Sequence, residues 1–223
     1  MGATGSFPID LVLLGMVAAF LVLRLRSILG KRSGFERPPM PQQPQQAVPA
    51  AGGPIADGRA EPAPSKVAVL PDPDSATGQV LTAMRGIDRT FDPTGFLVGA
   101  ERAFRMIVAG FAAGDRPTLR GLLADDTYLA FEGAIAAREA AGHTQSSEIR
   151  SIEAMTIEAA TLRGSVADVT VRILSDQLSL TRDKDNVIVV GAEAVTEITD
   201  LWTFERDLRQ QDPTWRLVAA RSA

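Results

Sequence analysis

The sequence contains no cysteine and a single histidine, His143, among its 223 residues. The absence of cysteine excludes disulfides, thiolate nucleophiles, iron–sulfur clusters and zinc sites built on cysteine. One histidine excludes any site that needs two imidazoles. Phosphate loops, dinucleotide fingerprints, nucleophile elbows and clusters at metal-ligand spacing are also missing, so we predict neither a cofactor nor a metal.

Basic residues are not in excess. The 23 Lys and Arg residues against 27 Asp and Glu residues give a formal net charge of −4, which argues against binding of nucleic acid. Hydrophobic residues make up 45% of the chain, enough for a core. The length accommodates one domain with additional segments.

The leading segment is the most apolar part of the chain. Leu11 to Leu23 carries no charge, and Ile9 to Leu29 would be about 31 Å long as a helix, close to the thickness of the hydrocarbon layer. Arg24 and Arg26 have stems long enough to snorkel toward the headgroups. We predict a transmembrane anchor within residues 1–37, with lipid-facing side chains that include Leu11, Leu14, Phe20 and Leu23.

Charge asymmetry around this segment sets its predicted orientation. No Lys or Arg precedes it, whereas Arg24, Arg26, Lys31, Arg32 and Arg37 follow it. Positive residues stay inside, so we expect the N-terminus outside and the rest in the cytoplasm. A mitochondrial presequence would be Arg-rich at its start, which favours a bacterial inner membrane. A cleaved signal peptide and a buried core helix are the alternatives.

The basic cluster itself is a candidate contact for anionic lipid. A Lys or Arg near an anionic leaflet contributes about 1 kcal/mol to membrane binding. Arg24, Arg26, Lys31 and Arg32 are the predicted contacts. The alternative is that these charges only set topology.

Residues 38–74 form a proline-rich stretch. Ten of the 14 prolines lie between 38 and 73, with almost no large apolar residue. Such a composition cannot bury enough surface to offset its ordering entropy, so we predict a disordered linker. A PxxP ligand is the alternative to a plain spacer.

Residues 75–223 form the predicted folded domain, and helices come first. Ser75 caps a segment whose apolar stripe packs on the core or, alternatively, on lipid or a partner; the stripe is Val80, Met84, Ile87 and Phe91. Asp92-Pro93 begins a long helix that ends between Gly110 and Gly114. Asp115 and Pro117 begin a short helix to Leu123. Asp125 or Asp126 caps a helix running to about Ala141.

Strands follow from residue 149. Apolar residues alternate from Ala167 to Ile173, and their parity has changed by Leu178, which predicts a bulge or bend between Leu174 and Gln177. Residues 183–186 form a turn before a strand at Val187–Val190. One face of the next strand carries Thr196, Ile198, Trp202, Phe204 and Leu208, and the last strand follows Asp212-Pro213 with Trp215, Leu217 and Ala219. This order predicts an α+β fold with a bent antiparallel sheet around the helices.

Two sets of side chains in this domain are candidate sites. Six aromatic residues line either a pocket for an acyl chain or partner side chain, or an ordinary core: Phe104, Phe111, Tyr128, Phe131, Trp202 and Phe204. Asp200 shares the parity of Ile198 and Trp202, so it is the candidate base if the domain is a pocket enzyme. Asp168 alternates with the apolar face and should point outward. A carboxylate paired with arginine is the structural alternative for either.

Three stretches of the domain resemble the Tim44-like domain family. They are residues 91–123 (FDPTGFLVGAERAFRMIVAGFAAGDRPTLRGLL), 169–183 (VTVRILSDQLSLTRD) and 196–219 (TEITDLWTFERDLRQQDPTWRLVA). The strings TDLWTFERDL and DPTWRLV are the most specific. Upstream, LRLRSILGKRSGFERPP resembles the juxtamembrane stretch of bacterial members of that family.

This resemblance implies a cystatin-like or nuclear-transport-factor-2-like α+β fold with an apolar pocket, association with the matrix or cytoplasmic face of a membrane, and no catalysis. The family includes the anchor of the mitochondrial import motor, bacterial TimA-type proteins and a membrane-docking mitoribosomal protein. This chain lacks the import subunit's long charged N-terminal region, so import-motor partners do not transfer to it.

From residues and resemblance together, we predict a membrane-anchored adaptor. It would tether a protein-translocation or ribosome-associated partner, of identity unknown, at the cytoplasmic face of a bacterial inner membrane. The alternatives are a pocket that holds lipid or another small molecule, and an enzyme of the ketosteroid-isomerase kind that uses Asp200.

Overall fold

The computed structural model describes residues 67–223. These residues form, in chain order, β1 (Val67–Val69), α1 (Ala76–Ile87), α2 (Pro93–Ala113), α3 (Arg116–Leu122), α4 (Asp125–Ala140), β2 (Thr144–Arg163), β3 (Val166–Arg182), β4 (Ile188–Gly191), β5 (Thr196–Asp207) and β6 (Arg216–Ser222). The predicted anchor, its basic cluster and most of the predicted linker lie outside this range. Among the helices of residues 67–223, none has the length and apolar character needed to cross a bilayer.

Side-chain caps begin three of the helices where the sequence predicts. Ser75, Asp92 and Asp115 each accept a hydrogen bond from the backbone N–H three residues on, at 3.1, 2.8 and 3.1 Å. Such caps satisfy N–H groups that have no partner within the helix. Gly114 ends α2 in the left-handed conformation with φ 72°, which glycine adopts without a Cβ clash.

The predicted cap of α4 is wrong. Ala124 is the N-cap and makes no side-chain hydrogen bond, while Asp125 and Asp126 lie in the first turn. There the two carboxylates favour the helix through its dipole rather than by capping. The helix end is instead fastened to β6, because the Ala124 N–H donates to the Leu217 carbonyl at 3.0 Å.

The sheet has the strand order β1-β2-β3-β5-β6, and β4 pairs with the end of β3. β1 runs parallel to β2, and every other pairing is antiparallel. Residues 67–69, which the sequence places in the linker, thus form the edge strand of a mixed sheet. The helices pack on one face of this sheet, so the predicted α+β class is confirmed.

β3 itself has no bulge between Leu174 and Gln177, but two register shifts of the facing strand β2 lie opposite those residues. β3 pairs with β5 without a register shift from Val166 to Gln177. Its odd positions stay buried because the polar side chains of Ser175 and Gln177 continue the inward face. The register shifts between β2 and β3 lie instead between Ile149 and Ser151, Ile152 and Ala154, and Ile157 and Ala159 of β2. These shifts bend the long hairpin.

Two strand details differ from the prediction by a residue. β4 begins at Ile188 rather than Val187, after a turn in which Asn186 has φ 63°. In β6 a register shift at Val218 moves Ala219 outward and places Ala220 against the core.

The core lies between α1, α2 and the sheet. Met84 and Phe91 of the α1 stripe are buried, and Val80 and Ile87 pack beside them. The stripe therefore packs on the core, as the first of its two interpretations held. α2 contributes Phe104 and Ile107 to the same cluster, and the Phe104 ring packs on Trp202 of β5 at 4.7 Å.

Candidate functional site

An open groove of about 460 Å³ lies between the N-terminal half of α2 and the loop before β6. We call it the α2 groove. It is lined by Thr90, Phe91, Asp92, Gly95, Phe96, Gly99, Ala100, Arg102, Ala103, Met106, Leu122, Phe204, Arg206, Pro213, Thr214 and Trp215. Its size falls within the range of ligand and side-chain pockets in proteins.

Small residues form the α2 side of the groove. Gly95, Gly99, Ala103 and Met106 follow one another at helical spacing and therefore share a face. Gly95 and Gly99 are exposed. A Cβ added at Gly99 would have no neighbouring atom within 4 Å, so no contact within the described domain requires glycine there. Because glycine has no side chain, α2 leaves open space on this side of the groove.

Aromatic rings form the rest of the groove wall, and one of them, Phe96, belongs to α2 itself. The Trp215 ring packs on Phe96 at 4.8 Å and on Phe91 at 5.8 Å, and Phe96 meets Phe204 at 6.1 Å. Phe91, Phe96 and Phe204 are buried, whereas Trp215 is partly exposed. Within residues 67–223 the Trp215 indole N–H has no hydrogen-bond acceptor and is not sealed from solvent. The groove therefore presents an aromatic face with an unused donor.

Arg206 fixes the two segments that carry these rings. Its Nη1 lies 3.0 Å from Asp88 Oδ2, and its Nε donates to the Asp212 carbonyl at 3.2 Å. Thr90 donates to Asp88 Oδ1 through its hydroxyl at 2.6 Å and its backbone N–H at 2.9 Å. Those two bonds, and then the charge of Arg206, lower the pKa of Asp88 against the opposing effect of burial. The aromatic side is thus held rigidly.

The edge of the groove combines an exposed apolar side chain with a positive charge. Met106 lines the groove and is 49% exposed, and Val98, on α2 but outside the groove lining, is 50% exposed. Arg102 lines the groove, is exposed and makes no ion pair with any described residue. An apolar hollow with a charged rim is typical of binding surfaces.

The six predicted aromatic residues do not gather around this groove. Phe104 and Trp202 pack edge to face at 4.7 Å in the core, and Trp202 meets Phe204 at 6.2 Å. Phe204 lines the groove from beneath. Contact of these residues with a ligand or partner stays a prediction.

The other three lie around α4. Phe111 and Phe131 pack edge to face at 5.1 Å. Arg138 lies over the Phe111 ring at 5.2 Å and donates to the Phe111 carbonyl at 2.8 Å. Tyr128 stacks under the Arg120 guanidinium at 4.9 Å. These are partly buried packing contacts.

Asp200 points inward, as its parity predicts, and is 4% exposed. Gln177 donates to Oδ2 at 3.4 Å and Ser222 donates to Oδ1 at 3.3 Å, while Ser175 accepts from the same Gln177 amide at 2.9 Å. Asp200 lines neither the α2 groove nor the polar hollow of about 340 Å³ beside Arg216. It belongs to a buried polar cluster.

Asp168 points outward, as predicted. It pairs with Arg163, which also lies 3.1 Å from Glu205. Burial, followed by the neighbouring Asp168, raises the pKa of Glu205. The described residues contain no group of three or more His, Asp or Glu side chains placed to hold a metal.

The Tim44-like domain model matches residues 77–222, which include every residue of the α2 groove. The chain belongs to the Tim44-like domain family. Membership in this family supports a general adaptor role. No curated protein matches the chain.

Several solved structures resemble the Tim44-like domain at low identity. The intermembrane space region of chloroplast protein ARC6 is 12% identical, with a TM-score of 0.43, and the alignment covers 59% of this chain and 96% of that one. A putative dehydratase of the NTF2-like family from Streptomyces avermitilis is 13% identical, with a TM-score of 0.37 over 58% and 97% of the chains. An NTF2-like protein from Rhodospirillum rubrum is 19% identical, with a TM-score of 0.33 over 59% and 98%.

Sequence reasoning missed the pairing of Trp215 with Phe91 and Phe96 across the groove of the Tim44-like domain. A signal was present: Asp92-Pro93 and Asp212-Pro213 are both turn markers, and each has an aromatic residue within two positions. The small-residue face of α2 was also readable, because Gly95, Gly99 and Ala103 repeat every four residues.

Proposed function

We propose that this chain is a membrane-anchored adaptor whose Tim44-like domain binds a protein partner in the α2 groove. The anchor within residues 1–37 holds the domain at the cytoplasmic face of a bacterial inner membrane. The partner belongs to the protein-translocation or ribosome-associated machinery. The chain carries out no catalysis of its own.

The observation that carries this proposal is the α2 groove itself. It is open at the surface and rigidly framed through Arg206. It leaves Met106 half exposed, with the exposed Val98 also on α2, although burying a large apolar side chain contributes about 1.5–3 kcal/mol. A partner side chain or segment seated against Trp215 would recover part of that energy.

The anchor and the basic cluster complete the proposed mode of action. A domain tethered through a proline-rich linker stays close to the leaflet, which raises its effective concentration toward membrane-bound partners. Arg24, Arg26, Lys31 and Arg32 add contact with anionic headgroups. We also assign the domain to the nuclear-transport-factor-2-like type, on the grounds of helices packed against a bent, largely antiparallel sheet.

Neither alternative has a comparable observation in its favour. Asp200 accepts hydrogen bonds from Gln177 and Ser222 and lines neither described hollow, so it is poorly placed to take a proton from a substrate. Phe104 and Trp202 fill the space between α2 and β5 with their own rings, which leaves the α2 groove as the better place for a ligand.

Site-specific photo-crosslinking in intact membranes tests the proposal. A benzophenone amino acid at Val98 of the full-length protein should give a discrete adduct with one partner. Gly99→Leu fills the groove and should reduce that adduct at least fivefold. Gly133→Leu is the matched control, because Gly133 is also in a helix and a Cβ there also meets nothing within 4 Å. Equal adducts in the two variants would rule out the groove as the docking site.

Anchoring has a separate test. The full-length protein should resist alkaline extraction from membranes, and protease added outside intact spheroplasts should leave residues 67–223 uncut. Recovery of the intact protein in the soluble fraction would contradict the anchor. Flotation of a variant without residues 1–23 should fall steeply with salt if the basic cluster binds lipid.

A further inference from the structure

We propose that the α2 groove binds the chain's own proline-rich segment, Pro38 to Pro49, as a polyproline II helix. The proposal rests on the α2 groove being the docking site proposed above. It adds the chemistry that the groove recognises and names one occupant.

The spacing of the prolines fits this mode of recognition. Pro38, Pro41 and Pro44 recur every three residues in PPMPQQP. A polyproline II helix has three residues per turn and a rise of about 3.1 Å, so these rings would form one ridge. Aromatic-lined grooves accept such ridges because the helix is already ordered before binding. The partly exposed Trp215, backed by Phe91 and Phe96, supplies such a lining.

The hydrogen-bonding groups also match. A polyproline II helix has no internal hydrogen bonds and proline has no N–H, so the backbone of PPMPQQP presents seven carbonyl acceptors and only three N–H donors. The groove presents donors without described partners, namely the Trp215 indole N–H and the Arg102 guanidinium. Residues 38–49 carry no charge, so docking leaves no acidic or basic side chain unpaired.

The two glycines of α2 in the groove leave room for the segment. Gly95 and Gly99 face the aromatic side, and nothing within the described domain fills the space above Gly99. Because Trp215 already contacts α2 at Phe96, a proline ridge would lie beside that contact, over Gly99, without displacing a side chain.

The chain outside the described residues is long enough to reach the groove, although β1 and β6 lie at opposite edges of the sheet. Residues 50–66 separate the segment from β1 and can span at most about 60 Å. A domain of roughly 150 residues has a radius of gyration of about 15 Å, so that span exceeds its diameter. At an effective concentration of about 1 mM, a dissociation constant on the order of 0.1 mM leaves the groove about nine-tenths occupied. A partner must then displace the segment.

Cross-linking within the full-length protein in lipid nanodiscs tests this. A benzophenone amino acid at Met40 should give an adduct at Met106 or Trp215, identified by mass spectrometry. Gly99→Leu should lower its yield at least fivefold, and Gly133→Leu should not. The Pro41→Ala, Pro44→Ala double variant, which lies outside the folded domain, should lower it similarly. Adducts that spread over the surface, or that persist in both variants, would overturn the proposal.

Two further measurements separate the possible outcomes. In a mixture of ¹⁵N-labelled and unlabelled protein, adducts should join segments of the same label; mixed-label adducts would overturn the assignment to the chain's own segment. The partner adduct from Val98 should rise several-fold in the double proline variant, because the competitor is weakened. If the Met40 adduct is absent while the Val98 adduct still depends on Gly99, this inference fails and the docking function stands. If the Val98 adduct is insensitive to Gly99, the docking function fails.

Discussion

Both halves of α2 bury an inward face, but the open groove lies mainly along the N-terminal half. In the C-terminal half, Phe104 and Ile107 are at most 1% exposed, and the Phe104 ring packs on Trp202 of β5. In the N-terminal half, the outward face carries Gly95, Gly99 and Ala103, and the aromatic ring opposite them, Trp215, is left partly exposed.

The difference teaches where this domain keeps its capacity to bind. A site that is close-packed with the domain's own side chains is stable, but it has no space in which a partner could bind. The open half gives up burial and helix propensity at the glycines, and it is framed by loop segments that Arg206 holds in place. Substitutions in the two halves should therefore differ in their effect on the free energy of unfolding, and binding should depend on the open half.

Truncation should separate the two halves most strongly. Phe104→Ala should lower the free energy of unfolding by about 4 kcal/mol, because it leaves a cavity in a fully buried site. Trp215→Ala should cost roughly 2 kcal/mol, since part of that ring is already in water. Urea unfolding of both variants measures the difference. Equal losses would mean that the open half is as much core as the closed half.

Removing the ion pair that frames the groove should have the next largest effect. Asp88→Asn should cost about 2 kcal/mol at pH 7, because the pair with Arg206 is 11–12% exposed. Asp125→Asn, whose carboxylate is 80% exposed beside Arg120, should cost under about 0.5 kcal/mol.

The pH dependence gives the sign of this contribution. Because folding lowers the pKa of Asp88, the ionised carboxylate stabilises the native state above its unfolded pKa of about 4. That stability is lost as the pH falls through the folded pKa. The difference between wild type and Asp88→Asn should therefore shrink between pH 5 and pH 2. A difference that stays constant over this range would show that the charge of Asp88 contributes little.

Local chemistry allowed much of the fold to be predicted from sequence. Ser75, Asp92 and Asp115 specify helix starts through a hydrogen bond that spans three residues, so the pattern needs no tertiary information. The alternation from Ala167 to Ile173 likewise identifies β3.

Prediction failed where tertiary partners decide. Ser175 and Gln177 occupy buried positions because they form a hydrogen bond with each other and Gln177 also donates to Asp200. In the sequence, two polar residues at these positions suggest that the buried face of the strand has changed. The register shifts of β2 are set by pairing with a distant strand. The α2 groove is formed by residues more than 100 positions apart in the chain. The sequence shows each segment, but it does not show that the segments lie side by side.

Asp200→Asn tests whether the closed side hides a second function. The substitution keeps the size of the side chain beside Gln177 and Ser222, so the free energy of unfolding should change by about 1 kcal/mol or less. The partner adduct from Val98 should be unchanged. An enzyme that used Asp200 as its base would instead lose activity and cellular function at full stability, which complementation by the variant checks.

Gly99→Leu should show the smallest effect on stability and the sharpest effect on binding. A Cβ at this exposed helical position has no neighbouring atom within 4 Å, and leucine is favoured over glycine in a helix by about 0.5–1 kcal/mol. The free energy of unfolding should therefore rise slightly, as it should for Gly133→Leu. Of these two variants, only Gly99→Leu should lose the partner adduct, because Gly99 lines the groove and Gly133 does not. If Gly99→Leu instead lowers the free energy of unfolding, the space above Gly99 is not free, and the N-terminal half of α2 does not border an open groove.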